Sequence, residues 1–162
     1  MTWYKKSNMI QLAPIATVKN TRIEIEDDNW GNVVSVIELD TSIPEEALLE
    51  IESFSHAEVI YYFHLVPDAK IETGSRHPRN NTAWPKVGIL SQRGKNRPNR
   101  LGATIVKIVK REGHQLHVQG LDAIDGTPVL DIKPVMREFL PREEIRQPEW
   151  ATELMKNYWA KE

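Results

Sequence analysis

The sequence predicts a mainly-β protein whose short strands form a single barrel or sandwich, accompanied by one or two short helices. Runs rich in Val, Ile and aromatic residues recur along the chain, and turn-forming residues bound most of them. Helical periodicity is weak, and strands do not alternate with helices as they do in doubly wound parallel sheets. At 162 residues the chain suits one domain with a substantial core.

Four strands are predicted in the first 90 residues. They are residues 13–18 (APIATV), 32–39 (NVVSVIEL), 56–66 (HAEVIYYFHLV) and 86–90 (KVGIL). The third run is apolar on both of its faces, so we expect it inside a sheet rather than at an edge.

Two later segments predict the remaining strands. Residues 103–121 alternate in polarity on either side of a Glu112-Gly113 turn, which is typical of a hairpin. Residues 125–135 begin with the turn signal Asp-Gly and continue as a further strand.

Two helices are predicted. In TSIPEEALLEIESF, Ser42 and Glu45 have the spacing of a capping box, and Pro44 suits the first turn. In PEWATELMKNYW, the residues spaced by four share one helical face: Trp150, Leu154 and Tyr158. This second helix either packs on the domain, which is our preferred interpretation, or meets a partner at an oligomer interface.

The composition excludes several classes of function. The chain is 40% hydrophobic and 27% charged, as is ordinary for a globular protein. Because it has no cysteine, it has no disulfide, thiolate zinc site or cysteine nucleophile, and it fits a reducing compartment. The N-terminal residues lack the apolar run of a signal peptide, and no segment has the roughly 18 apolar residues of a membrane helix. We therefore expect a cytoplasmic protein without a membrane segment.

Positive charge is concentrated in one part of the chain, although the formal net charge is −2. Residues 73–111 contain no Asp or Glu but ten of the 21 Lys and Arg residues. A block of one sign is either a solvated loop face or a surface that binds anions. Apolar runs pass through this block, so it is not a solvated tail, and we favour anion binding. The block begins with a long connection, residues 73–84, and such connections are often functional.

Familiar catalytic motifs are missing. The sequence has no Walker loop, no Gly-rich dinucleotide turn and no nucleophile elbow. His114 and His117 are three positions apart on a predicted strand, so their side chains point to opposite faces. His56 and His64 share a face but are too far apart to bind one metal ion. We expect no metal site, and the residue pattern alone leads to a small β-rich domain with an anion-binding loop region.

Four ordered phrases resemble one family. They are FSHAEVIYYFHL, RHPRNN, GILSQRGKNRPNRLG and GLDAIDGTPVLDIKP, and the match runs from about Pro14 to about Pro134. The chain thus resembles the TsaA/TrmO-like family, also called YaeB-like or VirR-like. The resemblance implies a homodimer with a non-Rossmann methyltransferase fold: a single β-barrel over residues 1–140 and a C-terminal helical extension over residues 141–162. It also implies an S-adenosylmethionine-dependent enzyme that methylates N6 of threonylcarbamoyladenosine next to the tRNA anticodon.

The resemblance also implies which residues contact the cofactor. They lie at the end of the third predicted strand, in or just after the segment SQRGKNRPNRLG, and in the GLDA phrase: His64, Leu65, Arg93, Ala103, Gly120, Leu121, Asp122 and Ala123. Arg93 is suited to hold the cofactor carboxylate by a charge-assisted hydrogen bond. Backbone groups of the GLDA loop suit the edge of adenine, with Leu121 against its face. Asp122 either faces a hydroxyl or ammonium group or caps the turn.

Phosphates of the anticodon loop are expected to contact basic residues of the acid-free block. These residues are Arg76, Arg79, Lys95, Arg97 and Arg100. In SQRGKNRPNRLG (residues 91–102), the Arg-Pro-Asn triplet is expected to form a rigid corner, while Lys95 and Arg100 remain free for phosphate. Trp84 or His77 is suited to stacking an unpaired base.

Two polar residues are candidates for catalytic roles near the methyl acceptor. They are Asp125 and Lys133. Asp125 precedes a glycine, so a plain turn explains it equally well.

Three positions depart from the family pattern. The P-R-Q phrase that helps to bind the cofactor is missing from residues 19–32, where only Arg22 is placed to substitute for it. Arg100 stands where the family has proline, and Val135 stands where it has tyrosine. These departures keep two alternatives open. One is a nucleic-acid or anionic-ligand binding module without methyl transfer, and the other is a small-molecule methyltransferase that acts on a phosphorylated substrate.

Overall fold

The computed structural model describes residues 8–160, which are built around a closed β-barrel. This part of the chain contains eight strands: β1 (Ala16–Lys19), β2 (Val34–Leu39), β3 (His56–Tyr62), β4 (Ser75–Arg76), β5 (Val87–Gly88), β6 (Leu101–Glu112), β7 (Gln115–Gln119) and β8 (Pro128–Pro134). Six strands close the barrel in the order β1-β2-β7-β6-β3-β8, and each neighbouring pair is antiparallel. The mainly-β prediction is confirmed, and the barrel is the correct one of the two predicted architectures.

Alternating residues of each strand fill the barrel interior. In β3 the buried positions are Ala57, Val59 and Tyr61, because successive side chains of a strand point to opposite faces. They pack in one apolar cluster with Val106 of β6 and Val129 of β8. Each large apolar side chain removed from water stabilises the fold by about 1.5–3 kcal/mol. This core fixes the ends of the strands that carry the functional residues.

Strand β3 is paired on both sides, with β6 and β8, as its two apolar faces predicted. The predicted hairpin is also confirmed, since β6 and β7 pair across a turn at Gly113, whose φ is 58°. Strand β3 ends at Tyr62, so His64 lies beyond the strand, whereas the predicted strand included it.

Residues 63–100, here called the excursion, connect β3 to β6 outside the barrel. Within it β4 and β5 form a separate two-stranded sheet. The side chain of Gln92 donates to the carbonyl groups of Arg76 (3.0 Å) and Val87 (3.1 Å). The amide of Phe63 donates to the carbonyl of Arg100 (2.9 Å), which joins the two ends of the excursion.

The first predicted helix does not form. Two separate 3-10 turns, Glu45–Leu48 and Ile51–Ser53, replace it. Glu50 lies between them with a φ of 65°, and this left-handed conformation interrupts helical backbone. Ser42 does not cap a helix, because its hydroxyl donates to the Asp40 carboxylate instead (2.6 Å). This hydrogen bond lowers the pKa of Asp40.

The C-terminal segment, residues 149–160, packs on the barrel. Its helix α1 (Glu149–Leu154) ends earlier than predicted and is followed by turns. The amide of Trp30 donates to the carbonyl of Tyr158 (2.8 Å). An ideal Cβ on Gly31 would lie 2.2 Å from the carbonyl oxygen of Trp159, so this approach requires glycine. Packing on the domain is therefore the correct interpretation for this segment. None of the helices within residues 8–160 has the length and apolar character needed to cross a membrane.

Candidate functional site

One end of the barrel gathers most of the predicted cofactor residues. Strand β3 ends and β6 begins at this end, with Tyr61 opposite Gly102. The loop at residues 120–127 borders the same end, because β8 follows it and pairs Val129 with Tyr61. We call this end of the barrel the rim.

A carboxylate surrounded by three hydroxyl groups lies at the rim. Asp122 accepts hydrogen bonds from Tyr61 (2.9 Å), from Thr104 and from Tyr158. Tyr61 and Thr104 belong to barrel strands and are buried, whereas Tyr158 comes from the C-terminal segment. Burial, and then the negative charge of Asp122, raise the pKa of both tyrosines, so both hydroxyls remain protonated donors. We call these four residues the hydroxyl cluster.

The loop that contains Asp122 keeps the two apolar residues beside that carboxylate in the core. Leu121 and Ala123 are 0% and 3% exposed and belong to the core. The side chain of Leu121 is therefore not available to an adenine ring in this structure, and that contact stays a prediction. The amides of residues 121–123 donate no hydrogen bond to any acceptor within residues 8–160. Because Leu121 and Ala123 are buried as whole residues, only the amide of Asp122 belongs to a residue that solvent reaches, and it suits one acceptor atom of a purine edge.

Asp125 has a structural role next to this loop. Its carboxylate accepts a hydrogen bond from the amide of Asn20 (3.0 Å), which ties the loop to β1. Gly126 follows with a φ of 81°, and the turn closes with a hydrogen bond from Thr127 to Ile124 (3.2 Å). Glycine at the third position of such a turn satisfies the need for a positive φ.

His64 and Arg93 also lie at the rim. An ideal Cβ on Gly126 would be 3.9 Å from Nε2 of His64, so this imidazole borders the turn. Burial lowers the pKa of His64, which favours the neutral ring. Arg93 donates to the carbonyl of Ala103 and is otherwise exposed, so most of its guanidinium remains available to a ligand.

Lys133 lies away from the rim. It pairs with Glu58 near the start of β3 and is five positions along β8 from Pro128, roughly 17 Å at the usual rise of a strand. Its ammonium group contacts Asp131 (2.8 Å), which raises the pKa of Lys133. The structure does not bring Asp125 and Lys133 together, so a shared catalytic role for the two is not supported.

The predicted RNA-binding cations fall into two groups. Arg79 pairs with Asp28 (2.8 Å), and Arg97 donates to a backbone carbonyl (2.7 Å). Arg76 and Lys95, in contrast, make no side-chain hydrogen bond or ion pair with any part of the chain that the structure describes.

Arg100 is not free for phosphate, contrary to the prediction. Its guanidinium donates to the carbonyl of Val66 (2.6 Å), pairs with Asp68 (3.0 Å) and lies 5.1 Å from the ring centroid of Tyr62. Its φ is 52°, and its amide donates to the carbonyl of Arg97 (3.1 Å). Proline has a φ near −65° and no N–H. Position 100 therefore departs from the family pattern in its backbone conformation as well as in its side chain.

Three more side chains singled out from the sequence are held by internal contacts. Nδ1 of His77 lies 2.8 Å from the carbonyl of Trp84, and the indole of Trp84 donates to Glu153 (2.6 Å). The stacking of a base on either ring stays a prediction. The side chain of Arg22 is 11% exposed and stacks over the ring of Trp30 at 4.1 Å, so it offers no free guanidinium in place of the missing P-R-Q phrase.

Sequence reasoning missed several residues of this site. Tyr61 faces inward by the alternation of β3, and a buried tyrosine hydroxyl needs a partner, so a signal for it existed. Thr104 and Tyr158 had no comparable signal. Lys70 lies just outside the acid-free block and was therefore not counted among the basic residues.

Comparison with known proteins identifies relatives of the chain. A family model described as the tRNA-methyltransferase O N-terminal domain matches residues 16–139. A human protein named tRNA (adenine(37)-N6)-methyltransferase is 38% identical over 105 residues, which are 65% of this chain and 23% of the human protein. A Pyrococcus abyssi protein named probable S-adenosyl-L-methionine-binding protein is 41% identical over 101 residues, which are 62% of this chain and 52% of that protein. The chain thus spans about a quarter of the first relative and about half of the second.

A solved structure has the same fold. A crystal structure of TrmO from Pseudomonas aeruginosa superposes with a TM-score of 0.70 at 24% identity, over 88% of this chain and 62% of that one. This fold is a barrel and not the Rossmann fold of many methyltransferases. Because the family model covers well over half of the chain, from β1 to just past β8, the chain belongs to the family of the tRNA-methyltransferase O N-terminal domain.

Proposed function

We propose that the protein is an S-adenosylmethionine-dependent methyltransferase that acts on N6 of a modified adenosine, threonylcarbamoyladenosine, next to the tRNA anticodon. The names of the human and Pyrococcus relatives support the reaction and the cofactor respectively. The observation that carries the proposal is the convergence at the rim of His64, Arg93, Ala103 and residues 120–123, which come from separate parts of the chain.

The groups at the rim fit the cofactor. When bound, S-adenosylmethionine supplies an electrophilic methyl group for in-line transfer to a nitrogen. The exposed part of Arg93 suits the cofactor carboxylate, and the unused amide of Asp122 suits the adenine edge. The three hydroxyl donors leave about one acceptor site of Asp122 unused, on the oxygen that Tyr158 contacts, so a ligand hydroxyl or ammonium binds there or replaces one of the present partners. Tyr158 is the partner that can leave without opening the barrel, because it alone lies outside the strands.

The protein's part in the reaction is mainly positioning. Asp125 keeps a proposed place near the acceptor because it lies at the rim, although its carboxylate is already used to hold the loop. Lys133 has no such support, since it lies toward the other end of β8.

A methyl-transfer assay on total tRNA tests the proposal. We expect S-adenosylmethionine to bind in calorimetry and mass spectrometry of digested tRNA to detect a new methyl group on threonylcarbamoyladenosine. Arg93→Ala should weaken cofactor binding by about tenfold or more, because a charge-assisted hydrogen bond is worth about 1.5–3 kcal/mol. Arg137→Ala, in an exposed turn after β8, is the matched control and should bind normally.

Two results would favour the alternatives. RNA binding without cofactor binding would indicate a binding module without methyl transfer. The missing P-R-Q phrase favours this alternative, as do the internal contacts that keep Arg22 from replacing it. Cofactor binding without methylation of tRNA would indicate a phosphorylated small-molecule acceptor.

We further propose a homodimer located in the cytoplasm, where its tRNA substrate is found. Strand β6 exposes Leu101, Ile105 and Val109 at a spacing of four, with 39%, 46% and 48% of their surface accessible. Several exposed apolar side chains on one outer face of a strand favour a protein interface. Sedimentation equilibrium should give a dimer, and Ile105→Lys should give a folded monomer.

A further inference from the structure

We infer that a cationic cleft in the excursion is a phosphate-binding subsite that receives a backbone phosphodiester of the RNA acceptor. The cleft has a volume of about 240 Å³ and is lined by Lys70, Arg76 and Lys95 together with Leu65, Asn80 and Asn96. The identity of the RNA rests on the proposed function, whereas the cleft itself rests on geometry and charge.

The three cations of the cleft have no partners within residues 8–160. Neither lysine makes a side-chain hydrogen bond or ion pair there, and Nε of Arg76 is buried without a hydrogen-bond partner. Among the described residues, no Asp or Glu lines the cleft. Three like charges held together in a concave surface attract an anion and concentrate it there.

The acidic residues beside the cleft are already engaged. Asp68 pairs with Arg100 (3.0 Å), and the carboxylate of Glu72 accepts a hydrogen bond from the amide of Gly74 (2.6 Å). Neither of these two carboxylates therefore forms an ion pair with a cation of the cleft. This arrangement distinguishes the cleft from the paired arginines elsewhere in the excursion.

The walls of the cleft are held in place before any ligand binds. The amide of Glu72 donates to the carbonyl of Asn96 (3.2 Å), which links the wall after Leu65 to the wall that carries Lys95. Gln92 holds the backbone of Arg76 in the same way (3.0 Å). Preorganised donors lose less entropy when they bind, so a rigid cleft binds a phosphate better than three flexible lysines on an open surface do.

The position of Leu65 connects the cleft to the rim. This side chain is 54% exposed, lines the cleft and directly follows His64, which borders the Asp125-Gly126 turn. A phosphate bound in the cleft therefore places a neighbouring nucleotide at the rim, where the methyl transfer is proposed. Leu65 offers that nucleotide an apolar contact.

A double variant with a matched control tests the subsite. Lys70→Ala/Lys95→Ala removes two charges from the cleft. The control, Lys107→Ala/Arg137→Ala, also removes two charges, but at the opposite end of β3. Lys107 is paired with His56 at the start of β3, and Arg137 follows β8, whose last residue is paired with Ala57. Fluorescence anisotropy with a labelled anticodon stem-loop RNA, at several salt concentrations and without cofactor, measures binding, and thermal melting confirms folding.

The cleft variant should bind the stem-loop about tenfold more weakly than the wild type. The slope of log affinity against log salt should fall by about 0.7 for each RNA phosphate that the protein no longer neutralises. The control variant should change by less than about twofold. An equal loss in both variants would show that only the general field of the protein attracts RNA, and it would overturn the subsite.

A second arm distinguishes the two sources of phosphate. Adenosine monophosphate and inorganic phosphate are titrated against the same variants. If the cleft variant loses their binding but retains that of the stem-loop, the cleft serves a small phosphorylated molecule and the RNA assignment is overturned. Calorimetry with S-adenosylmethionine should give the same affinity for the wild type and the cleft variant. Absence of cofactor binding in the wild type would refute the proposed methyl transfer, while the anisotropy would still decide the subsite.

Discussion

The hydroxyl cluster and the cationic cleft hold their polar groups in opposite states. In the cluster one carboxylate and three hydroxyls satisfy one another, and two of the hydroxyls are buried. In the cleft three cations have no partner within residues 8–160. A buried polar group left unpaired costs about 1–3 kcal/mol, as at Nε of Arg76, whereas an unpaired cation in contact with water, such as the two lysines of the cleft, costs little. The cluster is therefore suited to stabilise the rim, and the cleft is suited to bind a ligand.

The same contrast occurs among the basic residues of one loop. Arg100 and Lys95 are five positions apart in SQRGKNRPNRLG, yet the first is paired with Asp68 and the second is not paired in the described chain. Residue type and local charge do not distinguish them. The difference lies in Asp68, which comes from elsewhere in the excursion and pairs with Arg100.

The largest expected effect comes from removing the carboxylate of the cluster. Asp122→Ala leaves the hydroxyls of Tyr61, Thr104 and Tyr158 without their acceptor, so the free energy of unfolding should fall by about 3–5 kcal/mol. Urea denaturation measures it. Asp131→Ala is the matched control, because it removes a carboxylate whose partner, Lys133, is exposed, and it should cost no more than about 1 kcal/mol. Equal losses in the two variants would show that the cluster has no special role in stability.

The next effect concerns Arg100 and separates stability from RNA binding. Arg100→Ala removes a hydrogen bond, an ion pair and a cation–π contact, and it should destabilise the protein by about 2 kcal/mol. Its affinity for the stem-loop should stay within about twofold of the wild type, unlike that of the cleft variant. Arg100→Lys, which keeps the charge, should be destabilised to a similar extent. A variant of Arg100 that is fully stable but defective in RNA binding would contradict the division between paired and unpaired cations.

Most of the barrel could be predicted from the sequence because strand alternation is a local property. The inward positions of β3 follow from the order of residues 56–62 alone, and the hairpin follows from one turn signal. The two 3-10 turns at residues 45–53 could not be predicted, because the left-handed conformation of Glu50 overrides a pattern that favours a helix.

The candidate site was predictable only in part, because its contacts join distant positions. The resemblance indicated Asp122, but its partners Tyr61 and Tyr158 are 61 and 36 positions away. Lys70 was missed because Glu72 separates it in sequence from the acid-free block, although neither Glu72 nor Asp68 pairs with it and Asp68 pairs with Arg100 instead. Such pairings depend on the tertiary structure and leave no local signal.

A smaller effect is expected from loosening the C-terminal side of the cluster. In Gly31→Ala the new Cβ would lie 2.2 Å from the carbonyl oxygen of Trp159, so the C-terminal segment must move. Loss of its contacts should cost about 1–2 kcal/mol. Hydrogen exchange should show faster exchange of the Trp30 amide, which donates to Tyr158, while the amides of β3 stay protected. Gly94→Ala, where an added Cβ meets nothing within 4 Å, is the control. Unchanged exchange at Trp30 would mean that the segment does not pack as described.

The smallest effect is a pH dependence through His64, which lies between the two regions. Burial lowers its pKa below 6.5 in the folded state, so the unfolded chain takes up the proton first as the pH falls. The contribution of His64 to stability is therefore complete above about pH 6.5 and is lost at lower pH. His64→Gln should flatten this part of the stability profile from about pH 8 to about pH 5, as followed by urea denaturation.

The same imidazole reports on the cleft. A phosphodiester bound beside Leu65 brings negative charge close to His64 and should raise its pKa, as measured by NMR titration with the stem-loop RNA present. In Lys70→Ala/Lys95→Ala, at an RNA concentration near the wild-type dissociation constant, the rise in pKa should be much smaller than in the wild type. If the RNA raises the pKa of His64 equally in both proteins, the phosphate near His64 is held by residues other than Lys70 and Lys95. The contrast between the paired groups of the hydroxyl cluster and the unpaired cations of the cleft would then not explain where RNA binds. If the pKa without RNA is not below 6.5, the burial of His64 against the Asp125-Gly126 turn is itself contradicted.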